Sequence, residues 1–232
     1  VLAAYDPDFI RIAAITTEGS NAIVGVFGGT FDPVHLGHLC TVAVVRHHLA
    51  MHQVLFVPAS MPPLRDPPAA TPHQRLEMVG IAVHNVAGFE HDAREVTRTG
   101  PSYTVLTLEE LRSEYPGVPL WLILGLDAYL KLPQWHRWQE LVGLAHVALM
   151  QRAGWQLPED PLPDWWSRAL IDHPEQMSSQ PAGHILPVDV PAIDISSTDL
   201  RDRLRAGLSV AEDLPEGVQQ YIKENRLYGC CG

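Results

Sequence analysis

Residues 24–38 read VGVFGGTFDPVHLGH, and no other stretch of the chain narrows its fold as far. Val24, Val26 and Phe27 make an apolar run of the kind found in a strand buried on both faces of a parallel sheet. Gly28 and Gly29 end it. Lacking Cβ atoms, they let the backbone turn sharply and come close to a ligand. A helix beginning near Val34 or Leu36 then aims its free N–H groups, and the positive end of its dipole, at the same place. His35 and His38 lie three residues apart, so from a first helical turn both can face one ligand and donate hydrogen bonds to phosphate oxygens. A lone histidine is more often a satisfied surface or core residue. The pair, set in a strand, glycine turn and helix start, points to phosphate.

The commoner phosphate loops are absent. There is no Gly-x-x-x-x-Gly-Lys-Ser/Thr, and Gly25, Gly28 and Gly29 do not give the Gly-x-Gly-x-x-Gly spacing of dinucleotide folds. Residues 28–38, GGTFDPVHLGH, instead resemble the signature of the nucleotidyltransferase superfamily, Gly-Gly-Thr-Phe-Asp-Pro-x-His-x-Gly-His, at every specified position. The resemblance implies a Rossmann-like fold and an ATP site that includes Gly28, Gly29, Thr30, Phe31, His35 and His38.

Beyond the signature, hydrophobic periodicity predicts strands at 53–58, 118–124, 146–151 and 185–190. It predicts helices at 39–52, 72–86, 103–115 with Ser102 as its cap, 138–144, 197–207 and 215–225. Alternating strands and helices read as an α/β protein with a doubly wound parallel sheet in a single domain. Ligands of such sheets sit at the carboxyl ends of the strands, where strand order reverses. That domain spans residues 23–228. Residues 1–22 read as an extension outside it, because Asp6, Asp8, Arg11 and Glu18 interrupt any apolar signal core, and 229–232 as a tail. Residues 153–183, with prolines at 158, 161, 163, 174 and 181, read as an irregular excursion with a helical patch at 165–171.

Charge excludes some partners. With 16 basic against 27 acidic residues, the formal net charge of −11 repels nucleic acid and anionic membranes at long range. An anionic substrate therefore needs local positive potential. No apolar run approaches the roughly 18 residues of a membrane span. Cys40, Cys230 and Cys231 form neither a disulfide framework nor a zinc spacing, so reduced thiols in a cytoplasmic protein are expected.

A second constellation spans residues 195–201. A serine cap opens a helix there, and Arg201 lies one turn in, able to grip phosphate bidentately. Such caps are common, but the superfamily resembled carries Ile-Ser-x-Thr-x-x-Arg in this place. That implies Ile195, Ser196, Ser197, Thr198 and Arg201 hold the ATP phosphates from the side opposite the histidines. Asp127, after an apolar strand, suits either a ribose contact or a helix cap, and the resemblance implies an adenosine contact for Gly125 and Asp127. In residues 132–138, LPQWHRW, Trp138 reads as packing and Trp135 as a face for an electron-poor ring.

Leu132-Pro133-x-Trp135, Arg98-x-x-Pro101-Ser102-Tyr103-Thr104 and the ending at 214–228 narrow the resemblance to bacterial nicotinate-nucleotide adenylyltransferases. This implies that Trp135 stacks on the pyridine ring, while Thr104 and the backbone amide of His136 recognise its carboxylate. One position departs from the family. Pro62-Pro63-Leu64-Arg65 stands where Pro-Pro-His-Lys or Pro-Pro-His-Arg is usual, so Leu64 cannot bond a phosphate and Arg65 is left to supply charge toward the mononucleotide. The implied reaction is adenylyl transfer from ATP to nicotinate mononucleotide in NAD biosynthesis, with His35, His38 and Arg201 catalytic and Mg²⁺ bound mainly through the ATP phosphates. Three alternatives stay open: nicotinamide mononucleotide as acceptor, another phosphate ester such as phosphopantetheine, or a non-catalytic nucleotide sensor. A class I tRNA synthetase fragment is disfavoured by length and acidity. Oligomeric state is left open.

Overall fold

The structure, a computed structural model, describes residues 22–64, 66–152, 168–174 and 180–230. Six strands form one parallel sheet: β1 (Val24–Gly29), β2 (Gln53–Pro58), β3 (Phe89–His91), β4 (Leu120–Gly125), β5 (His146–Arg152) and β6 (Ile185–Val190), in the order β3-β2-β1-β4-β5-β6. The chain first builds away from β1 through β2 to β3. It then returns to lay β4 on the other flank of β1, so the strand order reverses between β1 and β4.

Side-chain alternation along these strands feeds two separate cores, as burial of both sheet faces requires. Phe27, Phe56, Trp121, Ile123 and Leu186 point to one face, where they meet helices α1 (Leu36–His48), α2 (Pro72–Val83), α7 (Ser197–Arg205) and α8 (Glu216–Glu224). Val26, Leu55, Leu122, Leu124 and Val147 point to the other. There α4 (Thr104–Glu114), α5 (Leu126–Leu130) and α6 (Leu141–Leu144) cover them, and a four-residue helix α3 (Arg94–Thr97) precedes α4.

Several expectations are corrected. The helix expected to begin near Val34 or Leu36 and to run to His52 is α1, which does start at Leu36, behind His35 in the extended cap conformation, but ends earlier, at His48. The helix at 103–115 begins at Thr104 with Tyr103, not Ser102, at the cap position. Ser102 is diverted: its hydroxyl accepts the backbone N–H groups of Ser60 (2.8 Å) and Met61 (3.3 Å) in the loop after β2. The helix expected at 138–144 divides into a 3-10 turn, Trp138–Glu140, and α6, because Arg137 sits at φ 53° and the first turn closes through Glu140 N–H to Arg137 O (3.1 Å). Strand β3 and helices α3 and α5 have no counterpart in the sequence reading. The N-terminal extension to residue 21 and most of the 153–183 excursion lie outside the described residues; of its helical patch, residues 168 and 169 are helical and Leu170 bridges to Ile185.

Candidate active site

The carboxyl ends of β1 and β4 open onto two cavities, one of about 450 Å³ and one of about 1310 Å³. Gly28, Gly29, Thr30, Gly125 and Asp127 line both, so the cavities share a wall at the point of strand reversal.

The larger cavity is built on the start of α1. His35 caps the helix with extended backbone (φ −144°, ψ 168°), and His38 follows one turn on. Their rings stack with centroids 3.7 Å apart. The backbone N–H of His35 donates to Nδ1 of His38 (3.3 Å). With Nδ1 accepting, the proton of a neutral His38 resides on Nε2, which becomes a hydrogen-bond donor without any ionisation. His35 is buried, and desolvation lowers its pKa from 6.5 to about 4, a shift that Asp213 only partly opposes. His35 is therefore neutral at physiological pH, and the stacked pair escapes the repulsion of two imidazolium rings. Its Nδ1 is buried and has no hydrogen-bond partner among the described residues.

Two glycines are required here by close approach. A Cβ on Gly29 would fall 2.8 Å from Cζ of Phe31, and one on Gly37 would fall 3.0 Å from Nδ1 of His35. Phe31 itself is buried, at φ 52°, with its ring edge-on to His38 at 5.2 Å. It lines the larger cavity and packs among the rings of His38, Phe27 and Phe56, so it supports the His38 ring as well as forming a wall.

Across the cavity, α7 presents Ile195, Ser196, Ser197, Thr198 and Arg201. Ser196 is the cap expected from the sequence, its hydroxyl accepting the N–H of Asp199 (3.1 Å). Ser197 Oγ donates to the carbonyl of Pro33 (3.0 Å), and Arg201 donates through Nη1 to the carbonyl of Asp32 (2.8 Å) and through Nη2 to Thr198 Oγ1 (3.3 Å). The bonds to Pro33 and Asp32 cross more than 160 residues of sequence and tie the two helix starts together.

The roles of three residues of this support escaped the sequence reading. The buried Asp32 carboxylate accepts the N–H groups of Ala69 (2.8 Å) and Ala70 (3.0 Å) and the hydroxyl of Tyr228 (2.8 Å). Buried Arg75 donates to the carbonyls of Thr30 (2.7 Å), Ala59 (2.6 Å) and Ser60 (3.0 Å). A buried carboxylate and guanidinium that are fully occupied in this way lock the loops they join. Asp32 was visible in the signature, whereas Arg75 and Tyr228 carry no local signal of their role.

The smaller cavity holds the residues assigned to the mononucleotide. Thr104, the first residue of α4, lines it with Trp135 and His136, and the His136 ring stacks on Tyr103 at 4.3 Å. Trp135 and Trp138 are both half-buried and both pack against the second core. Glu95 forms part of the wall, its pKa raised by burial against the opposing effect of hydrogen bonds from Thr107 and Ser102 and the charge of Arg98. Asp127 is not a helix cap, since Gly125 takes that position at the start of α5. Leu64 lines both cavities, and Arg65 lies outside the described residues. Among the described residues no group of three or more His, Cys, Asp or Glu side chains could hold a metal ion, and no helix is long and apolar enough to cross a membrane.

A parallel sheet whose strand order reverses beneath two joined helix starts is the architecture of the nucleotidyltransferase class, and the cytidylyltransferase-like family model matches residues 26–203. A Methylococcus capsulatus protein described as a probable nicotinate-nucleotide adenylyltransferase is 42% identical over 208 residues, covering 89% of this chain and 99% of its own length. A Halorhodospira halophila protein of the same description is 44% identical over 208 residues, 89% of this chain and 95% of its own length. This chain belongs to the nicotinate-nucleotide adenylyltransferase family. The fold is also that of the Plasmodium falciparum nicotinic acid mononucleotide adenylyltransferase complexed with NaAD, with a TM-score of 0.67 and 16% identity over 91% of this chain and 99% of the other.

Proposed function

We propose that the chain transfers the adenylyl group of ATP to nicotinate mononucleotide, releasing pyrophosphate. An oxygen of the mononucleotide phosphate forms a bond to the α-phosphorus of ATP, while the bond from that phosphorus to the bridging oxygen of the β-phosphate breaks and its electron pair leaves with pyrophosphate. The attacking phosphate is already ionised at neutral pH, so the step needs neither a general base nor a covalent intermediate. Aligning two mutually repelling anions and stabilising the charge of the leaving group remain for the protein.

The observation that carries this reading is the shared wall. ATP in the larger cavity and the mononucleotide in the smaller one bring their phosphates together over Gly28, Gly29 and Thr30. His38 Nε2 and the start of α1 face the phosphates of ATP, and Arg201 with the Ser196 to Thr198 turn holds the far end. Asp127 accepts from ribose, Trp135 offers its face to the pyridine, and Thr104 and the His136 amide meet the carboxylate. Mg²⁺ reaches the site bound mainly through the ATP phosphates.

Pyrophosphate release measured with ATP and, in turn, nicotinate mononucleotide, nicotinamide mononucleotide and phosphopantetheine tests the assignment. The highest kcat/KM is expected with nicotinate mononucleotide. A higher value with either of the others would overturn it.

A further inference from the structure

Besides glycine, Thr30 and apolar residues, the two cavities share two charged residues among those described, Asp127 and Lys131. His35, His38 and Arg201 line the larger cavity alone. In the smaller cavity the other acidic side chain is Glu95, and Lys131 is the single lysine or arginine among its described lining residues. A mononucleotide entering there carries a phosphate dianion and a carboxylate into a chain of net charge −11. The cavity must supply opposing charge at the seam.

Lys131 is built to do so. Its backbone is pinned: the N–H donates to Ala128 O (3.2 Å) at the end of α5, and the carbonyl accepts from Gln134 N–H (2.9 Å) in the turn leading to Trp135. Its ammonium makes no ion pair among the described residues, whereas Arg94, Arg98, Arg137 and Arg203 are each paired with carboxylates. A flexible stem with a compact, strongly hydrated charge suits a phosphate that changes position as it reacts. Leu64, which also lines both cavities, has nothing to offer a phosphate.

We infer that Lys131 binds the phosphate of the acceptor mononucleotide at the junction of the two cavities and holds it against repulsion from the ATP phosphates. This inference rests on the function proposed above. Lys131→Ala and Lys131→Arg, each checked for an unchanged melting temperature, are compared with the unmodified chain in steady-state assays with both substrates. Losing a charge-assisted hydrogen bond is expected to raise KM for the mononucleotide roughly 10-fold or more in Lys131→Ala, with KM for ATP changing less than about threefold and Lys131→Arg retaining most of the affinity. Raising the salt concentration should weaken mononucleotide binding less in Lys131→Ala than in the unmodified chain. An active unmodified enzyme with unchanged mononucleotide KM in Lys131→Ala, or with equal rises for both substrates, would overturn the role of Lys131. An unmodified chain that releases no pyrophosphate from ATP and nicotinate mononucleotide would instead overturn the reading beneath it.

Discussion

His38 serves two neighbours at once, and replacing it should separate their contributions. Its Nδ1 accepts the buried N–H of His35 at 3.3 Å, which leaves Nε2–H for a phosphate oxygen. His38→Ala removes both bonds. Loss of a donor that acts on charge developing in the transition state costs about 3–4 kcal/mol, or roughly 100- to 1000-fold in kcat. Loss of the backbone bond leaves the His35 N–H without that acceptor and costs about 1 kcal/mol of stability. His38→Asn places a side-chain oxygen near the His35 N–H but sets its amide short of the Nε2 position. It should regain much of the stability while kcat stays at least about 10-fold low. Pyrophosphate release at saturating concentrations of both substrates reads the first quantity, and urea denaturation the second. If His38→Ala keeps kcat within about threefold of the unmodified enzyme, the donor role is wrong and the stacked pair is only a helix cap.

Other outcomes follow from the same geometry. Trp135→Ala should raise KM for the mononucleotide roughly 10-fold or more with little change for ATP, as loss of a stacking face predicts, and equal changes in steady-state KM would make Trp135 ordinary packing. Tyr228→Phe removes a hydroxyl from the buried Asp32 carboxylate and is expected to lower unfolding free energy by about 1.5–3 kcal/mol in urea titrations, with kcat falling because the signature loop loosens. Unchanged stability would show that Asp32 is held sufficiently by the amides of Ala69 and Ala70. Burial pushes the pKa of both His35 and His146 from 6.5 down to about 4. Between those values the unfolded chain binds more protons than the folded one, so stability is complete above pH 6.5 and is lost on acidification toward pH 4, with a slope of about 1.4 kcal/mol per pH unit for each histidine. His146→Gln should remove one proton from that slope in denaturation curves taken across the window, and an unaltered slope would contradict the assignment.

Long, strongly patterned elements were legible before the structure. Strands β2 and β6 fall where the apolar runs place them, and α7 begins at Ser197 behind its Ser196 cap. Short elements were not legible, because three to five residues do not complete a period. Strand β3, with only Phe89 of its three residues buried, exists because Val54 of β2 pairs with it. Ser102 looked like a cap and would serve as one in an isolated helix. In the folded chain the amides of Ser60 and Met61 compete for its hydroxyl and win.

The candidate site divides in the same way. Gly28, Gly29, His35, His38 and the 195–201 segment announce phosphate chemistry locally, because a glycine turn and a helix start act through neighbouring backbone. Their mutual placement has no such record. Tyr228 reaches Asp32 across 196 residues, Arg75 reaches Thr30 across 45, and Arg201 reaches Asp32 across 169. The sequence by itself thus determined a parallel α/β sheet with two helix starts of the kind that suit phosphate, since periodicity, glycine and caps act over a few residues. Only the tertiary structure decided that these starts form one clamp, that the His38 proton lies on Nε2, and that Lys131 stands where two cavities meet, because burial, tautomer and cavity shape arise from contacts between distant parts of the chain.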